Sequence, residues 1–490
     1  MMNPTSSLVL SAAAAASAAS VNLDWHAPSA SAVNNLTSAL QASGTYGFIF
    51  NTSRTPDAQY GTYNWCNMPH DAAGEDEYEL RYVEVIQRHH KRTPYAANAF
   101  PVEPYRWDCD DQGLYYFGQS LAADTDASKR SAQTYWKGTN STINPFVPAG
   151  WIGSCQFPQI TSGGLDDSRT HGEDLYDVYH SLLGFLPSRE AEDGEAWRRQ
   201  VVYRVTNNQI TSQVASQLIA GMWGESALTR SVPLLIQASG VDSLEPQYPC
   251  PSGTSAFDRL KTAATARWQQ HLDAARPLFA TLDAISGVPP TDTAFHASFD
   301  HYYDNLSARQ CHGDTGKPLP CNATTGECVT QDLADAVYRL GQWEYSHLYR
   351  DAGPAALRSS AAAYGVWIAE LAAHLRAVSS GGGMGDVRYF HNVAHDGSLS
   401  RVLAILQIDV MVWPGMGSEV VFEVYRKKEA GDGSEHYVRV LFGGRPLKSS
   451  NPTLGLIDML PLETLMAYFD GLVGQNASLI KGKCNGSIPL

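Results

Sequence analysis

The chain has 490 residues, 43% of them hydrophobic and 17% charged, with a formal net charge of −15. That length and apolar share suit one large or two coupled globular domains. The acidic balance argues against nucleic acid and anionic membranes as main partners, while leaving room for an anionic small molecule in a local basic pocket.

Residues 1–20 carry no charge, and their short apolar core and alanine-serine run read as a secretory signal peptide, although the usual positive start is missing. No later stretch reaches about 18 uninterrupted apolar residues, so no membrane-spanning helix is expected. Sequons begin at Asn35, Asn51, Asn140, Asn305, Asn322, Asn476 and Asn485, and eight cysteines occur. Both features fit an extracellular protein with N-linked glycans and up to four disulfides. The sequence does not fix the pairing, but Cys311, Cys321 and Cys328 lie close enough for a local staple.

Residues 21–79 mix small polar residues with Trp25, Trp65 and Cys66 and read as an irregular N-terminal arm. The alternating run Tyr82-Val83-Glu84-Val85-Ile86 predicts a strand over about 81–87. It runs into Arg88-His89-His90-Lys91-Arg92-Thr93-Pro94. Two guanidiniums at this spacing can grip a tetrahedral oxyanion from two sides. An imidazole between them is nucleophilic near neutral pH. Residues 95–160, rich in Pro, Gly, Asp and aromatics, predict a long loop region over the site.

A helix over Glu173–Leu186, a strand at Val201–Val205 and a helix over Val214–Met222 follow. Residues 225–378 are mostly helical by apolar spacing, with segments at Asp258–Leu282, Leu333–Arg350 and Ala355–Val378. Ser379-Ser380-Gly381-Gly382-Gly383 leads back to a strand near 387–394 that delivers His395-Asp396. Glu419–Arg426 and His436–Phe442 read as a hairpin, and Leu460–Val473 as a closing helix with Pro461 at its start. The expected fold class is α/β: a three-layer α/β/α sandwich around a mixed, mostly parallel sheet, with an inserted helical subdomain. Residues 80–224 and 379–475 make a discontinuous catalytic domain, 225–378 the helical subdomain, and 476–490 a tail. Ligands in such sheets bind beyond the carboxyl ends of strands. Both polar motifs leave strands at that end, so they can converge. Tyr95, Tyr389 and Trp413 read as packing residues, and His391 as an ordinary strand residue.

Arg88, His89, Arg92 and Pro94, with His395 and Asp396 far downstream, resemble the signature of the histidine acid phosphatases, the phytase-like branch of the histidine phosphatase superfamily. That signature reads Arg-His-Gly-x-Arg-x-Pro, then His-Asp after a late strand. Ile160-Thr161 through Gly164, Trp413-Pro414 and the hairpin ending at Pro446-Leu447 add weaker matches. The resemblance implies a phosphomonoesterase acting on a small phosphate ester without cofactor or metal. His89 would form a phosphohistidine, with Arg88, Arg92 and His395 binding the phosphoryl oxygens. Asp396 would protonate the leaving group and then help activate water.

Two positions depart from the pattern. His90 replaces the motif glycine, and Ile210 falls where the family places a third phosphate-binding arginine. A missing donor of that kind costs on the order of 3 kcal/mol of transition-state stabilisation. His90 or Lys91 is the expected substitute cation, His90 below about pH 6 where an exposed histidine is protonated. The departures keep two alternatives open: a phosphatase-like pseudoenzyme or binding protein, and a retuned hydrolase or lyase acting on a non-phosphate substrate.

Overall fold

A computed structural model of the chain describes residues 21–45, 77–112, 115–117, 134–139, 143–190, 196–228, 231–262, 266–312, 318–381, 384–428 and 435–490. The expected signal peptide, Trp65, Cys66, the sequons at Asn51 and Asn140, Gly382-Gly383 and the hairpin turn at 430–434 lie outside them.

An eight-stranded sheet organises the molecule. Its strands are β1 (Tyr78–Arg88), β2 (Val201–Val205), β3 (Leu234–Leu235), β4 (Tyr389–Ala394), β5 (Glu419–Lys427), β6 (His436–Phe442), β7 (Arg445–Pro446) and β8 (Leu460–Pro461). Seven run in the order β8-β6-β5-β1-β4-β2-β3, and β7 adds to β6. β1, β4, β2 and β3 pair in parallel, while β1–β5, β5–β6, β6–β8 and β6–β7 pair antiparallel. The sheet is mixed as expected, but its antiparallel half is larger than the expected mostly parallel sheet. The hairpin β5–β6 does not stand apart: it joins the edge of β1 and recruits β7 and β8.

Seven helices position the site: α1 (Ser162–Tyr176), α2 (Gln209–Trp223), α3 (Asp300–Gln310), α4 (Gln331–Ser346), α5 (Pro354–Ser379), α6 (Asp396–Ile405) and α7 (Leu462–Val473). Strand alternation sorts them into layers. Val83, Val85 and Val421 face one cluster with Leu175, Leu218 and Met222 of α1 and α2. Tyr82, Ile86, Val420 and Phe422 face the other, with residues of α5, α6 and α7. Val83, Val85, Tyr82 and Ile86 are all fully buried, each aliphatic one stabilising by about 1.5–3 kcal/mol.

The expected helix at Glu173–Leu186 starts earlier, at Ser162, because the Thr161 hydroxyl caps it by accepting from Gly164 N. A Cβ on Gly164 would lie 2.0 Å from the Lys91 carbonyl oxygen, so glycine lets α1 dock directly under the motif loop. The segment Asp258–Leu282 divides into Pro251–Leu260, Ala266–Ala274 and Arg276–Ser286. Pro277 opens the last of these, where its missing N–H is harmless.

Among the described residues three disulfides form: Cys109–Cys155, Cys250–Cys484 and the local staple Cys321–Cys328. Cys311 remains a buried thiol. The Cys250–Cys484 bridge ties the last helical turn, Ile480–Asn485, to the interior of the chain. Asn305 and Asn322 are buried and donate to Asn98 O and Ala284 O. Asn35, Asn476 and Asn485 are exposed. Among the described residues no helix is long and apolar enough to cross a membrane.

Candidate active site

Three parallel neighbours end at one edge of the sheet. Arg88 of β1 is level with Ala394 of β4, and Val205 of β2 with Val393. The residues that follow are His89, His395-Asp396 and Thr206. His89 N–H donates to Ala394 O at 3.0 Å, and Gly417 N–H donates to His89 O at 3.1 Å, which pins the motif backbone between β4 and the turn before β5.

His89 is 1% exposed, and its Nδ1 lies 2.9 Å from the His90 carbonyl oxygen. A carbonyl only accepts, so Nδ1 carries the proton and Nε2 keeps its lone pair. Burial, then the charges of Arg92, Arg88 and His395, hold the imidazole well below its ordinary pKa. The His395 ring lies 5.5 Å away, edge to face. Its Nε2 is 2.9 Å from Thr206 Oγ1, and burial with the two arginines pushes its pKa down to about 4 against the pull of Asp396.

Asp396 is the first residue of α6, with His395 at the N-cap. One carboxylate oxygen accepts from Gly397 N at 2.8 Å. The other sits 2.7 Å from Trp413 Nε1 and 3.1 Å from Arg88 Nη2. Burial raises its pKa, but Arg88, the Trp413 N–H and Arg92 outweigh that and hold the carboxyl below its usual range. Trp413 is clamped between Tyr303 and Tyr345, with ring centroids 3.7 and 3.9 Å away. The packing expected of Trp413 is present, and its N–H also aims the Asp396 carboxylate.

Each arginine is built into the wall. Arg88 donates from Nη1 to Pro414 O at 2.6 Å. Arg92 donates to Thr93 O and to Asp304 Oδ1, both at 2.8 Å, and stacks over Tyr95 at 4.3 Å. Asp304 also accepts from Tyr95 N and Asn98 Nδ2. The Nε–H of each guanidinium has no acceptor among the described residues.

Sequence reasoning thus names Arg88, His89, Arg92, His395 and Asp396, and the fold brings these five together. It offered His90 and Lys91 as substrate contacts, and their described partners lie on α1. His90 Nε2 is 3.1 Å from His171 Nδ1, and Lys91 Nζ is 2.9 Å from Asp167. Burial, then His171 and Lys91, hold His90 well below its ordinary pKa, so it adds no positive charge. Ile210 is fully buried with Ile160, Val205, Val214 and Val393 in an apolar cluster. Thr206, Glu245, Asp304 and the aiming role of Trp413 emerge only in the fold. Asp304 stands four residues after Asp300, and nothing local links that spacing to Arg92.

The residue in place of the motif glycine has a structural partner system. His171 Nε2 lies 3.0 Å from Glu419 Oε2, and both side chains are less than a tenth exposed. Burial disfavours the charged imidazole, but Glu419 more than offsets this and raises its pKa. A raised folded-state pKa stabilises fully below the unfolded value of about 6.5, and the gain fades as pH rises through the folded value. Glu419→Gln should therefore cost more at pH 6 than at pH 8, with about 3 kcal/mol lost at the lower pH. Urea unfolding of both proteins at the two pH values checks this, and an equal cost at both would contradict it.

The histidine phosphatase superfamily (branch 2) family model matches residues 79–443. Counting factor 60 of Dictyostelium discoideum is 22% identical over 389 residues, covering 78% of this chain and 84% of that protein. Among solved structures, the apo phytase of Hafnia alvei superposes with a TM-score of 0.51 at 12% identity, covering 83% of this chain and 99% of that one. The phytase from Citrobacter braakii gives 0.50 at 14% identity, covering 80% and 98%. Both resemblances are of fold. With strand ends, motif order and the family match in agreement over most of its length, the chain belongs to the histidine phosphatase superfamily, branch 2.

Proposed function

We propose that the protein is a secreted phosphomonoesterase that works through a phosphohistidine on His89. The observation that carries this reading is the convergence of an imidazole with a free Nε2, two guanidiniums and the Asp396 carboxyl at one sheet edge. Arg88 and Arg92 bind the phosphoryl oxygens, where their unpaired Nε–H groups gain acceptors. His89 Nε2 forms a bond to phosphorus as the bond to the leaving oxygen breaks, and Asp396 gives that oxygen a proton. Water then attacks phosphorus, Asp396 takes its proton, the N–P bond breaks and phosphate leaves. The first half-reaction leaves Asp396 as a carboxylate, and the second returns its proton, so the two together restore the starting protonation.

Asp396 is held ionised without substrate. A bound phosphoryl group draws Arg88 toward itself and adds negative charge beside the carboxyl, so its pKa rises on binding. The proton then enters with the monoanionic ester, abundant below the second phosphate pKa of about 6. Three disulfides and the exposed sequons support secretion.

A second reading, phosphate binding without turnover, draws on the apolar setting of Ile210. Steady-state hydrolysis of p-nitrophenyl phosphate at pH 5 separates the two. The phosphatase reading expects turnover that inorganic phosphate inhibits competitively. Folded protein that binds phosphate but releases no nitrophenol would favour the second.

A further inference from the structure

The carbonyl that keeps the proton on His89 Nδ1 belongs to the peptide between His90 and Lys91. The direction of that one peptide decides whether His89 Nε2 is left with its lone pair. Both side chains that flank it end on α1. His90 Nε2 meets His171 Nδ1 at 3.1 Å, and Lys91 Nζ meets Asp167 at 2.9 Å. The tether continues from His171 Nε2 to Glu419, 3.0 Å away. Glu419 opens β5 and pairs with Gln87 of β1, the residue before Arg88, so the chain of contacts closes back on the strand that carries the motif. A carboxylate only accepts, so His171 Nε2 carries a proton. One further hydrogen lies between the facing nitrogens of His171 and His90, whichever of the two holds it, so their contact persists in both protonation states of His171. His90 is fully buried, and its backbone lies outside the left-handed region, so its local conformation does not call for glycine.

We propose that His90 is a positioning residue for the nucleophile: its side chain, anchored through His171 to Glu419, fixes the peptide whose carbonyl sets the His89 tautomer. This rests on the phosphatase reading and names a residue that supports its nucleophile. Glycine at position 90 would cut the tether and add backbone freedom at the residue whose carbonyl matters. The phosphate-binding guanidiniums keep their own supports in Pro414, Thr93 and Asp304. The loss therefore falls on turnover and spares binding.

Two measurements test this. Nitrogen-15 spectra of histidine-labelled protein read the His89 tautomer, its signals identified by their loss in His89→Ala, and p-nitrophenyl phosphate hydrolysis reads the consequence. The wild type should hold the His89 proton on Nδ1 alone. His90→Gly should show both tautomers, with kcat lowered by about tenfold, the worth of one hydrogen bond, and KM changed by less than about threefold. His90→Gln, whose amide reaches the place of Nε2, should restore the single tautomer and most of kcat. His171→Gln keeps a donor for Glu419 but removes Nδ1, so it should match His90→Gly, a check that remains if the glycine variant folds poorly. A role confined to packing changes stability and leaves the tautomer and the kcat of folded protein alone. An unchanged tautomer or wild-type kcat in either tether variant that folds, or a His90→Gln no better than His90→Gly, would overturn the proposal. Wild-type protein that turns nothing over would overturn the phosphatase reading, while the tautomer spectra would still decide the role of His90.

Discussion

Replacing His89 by alanine should lower p-nitrophenyl phosphate turnover by at least about a thousandfold, because removing a nucleophile forfeits the covalent route entirely. The geometry makes this loss specific. The His90 carbonyl fixes the proton on Nδ1, and burial with two flanking guanidiniums keeps the ring neutral. A neutral nucleophile with a strongly lowered pKa also survives acid. Wild-type kcat/KM should therefore not fall between pH 6.5 and pH 5, where an ordinary histidine would protonate. The alanine variant should still bind phosphate, since Arg88 and Arg92 have their own supports in Pro414, Thr93 and Asp304. Initial rates and phosphate titration of the two proteins check both parts. A variant that keeps a tenth or more of wild-type turnover would contradict the assignment.

The second large effect is expected from Asp304→Ala. Arg92 is 2% exposed and Asp304 8%. Truncating the carboxylate strands a buried guanidinium and removes the acceptor for Tyr95 N and Asn98 Nδ2. Losing one partner of a buried pair costs about 3–5 kcal/mol. Phosphate at millimolar concentration should restore more stability to the variant than to the wild type, because an anion at Arg92 replaces the lost charge. Denaturant unfolding with and without phosphate measures both quantities. A loss under about 1 kcal/mol, or equal stabilisation by phosphate, would show that Asp304 does not hold Arg92.

What the sequence reveals follows from the range of the interactions involved. β1 is legible from its alternating run Tyr82-Val83-Glu84-Val85-Ile86, and the polar motifs of β1 and β4 begin where the strands stop. The start of α1 was hidden because Ser162-Gly163-Gly164 is a weak helix-former. The contact of Gly164 with Lys91 O overrides that weakness. The carboxylate of Asp304 reaches Arg92 across 212 positions, and the Trp413 N–H reaches Asp396 from a separate loop. No local pattern encodes either contact. His90 misled for a related reason. Beside two arginines it reads as a further cation, whereas in the fold burial, then His171 and Lys91, hold its pKa well below the ordinary value.

The account stands on covalent transfer of phosphate to His89, and trapping that species tests it most directly. Wild-type protein turning over p-nitrophenyl phosphate would be quenched in alkali, where phosphohistidine persists, digested and analysed by mass spectrometry. The expected result is one phosphorylated peptide containing His89, with phosphate on Nε2 because Nδ1 is bound to the His90 carbonyl. Sustained turnover with no phosphopeptide, or with phosphate on a residue outside this motif, would contradict it.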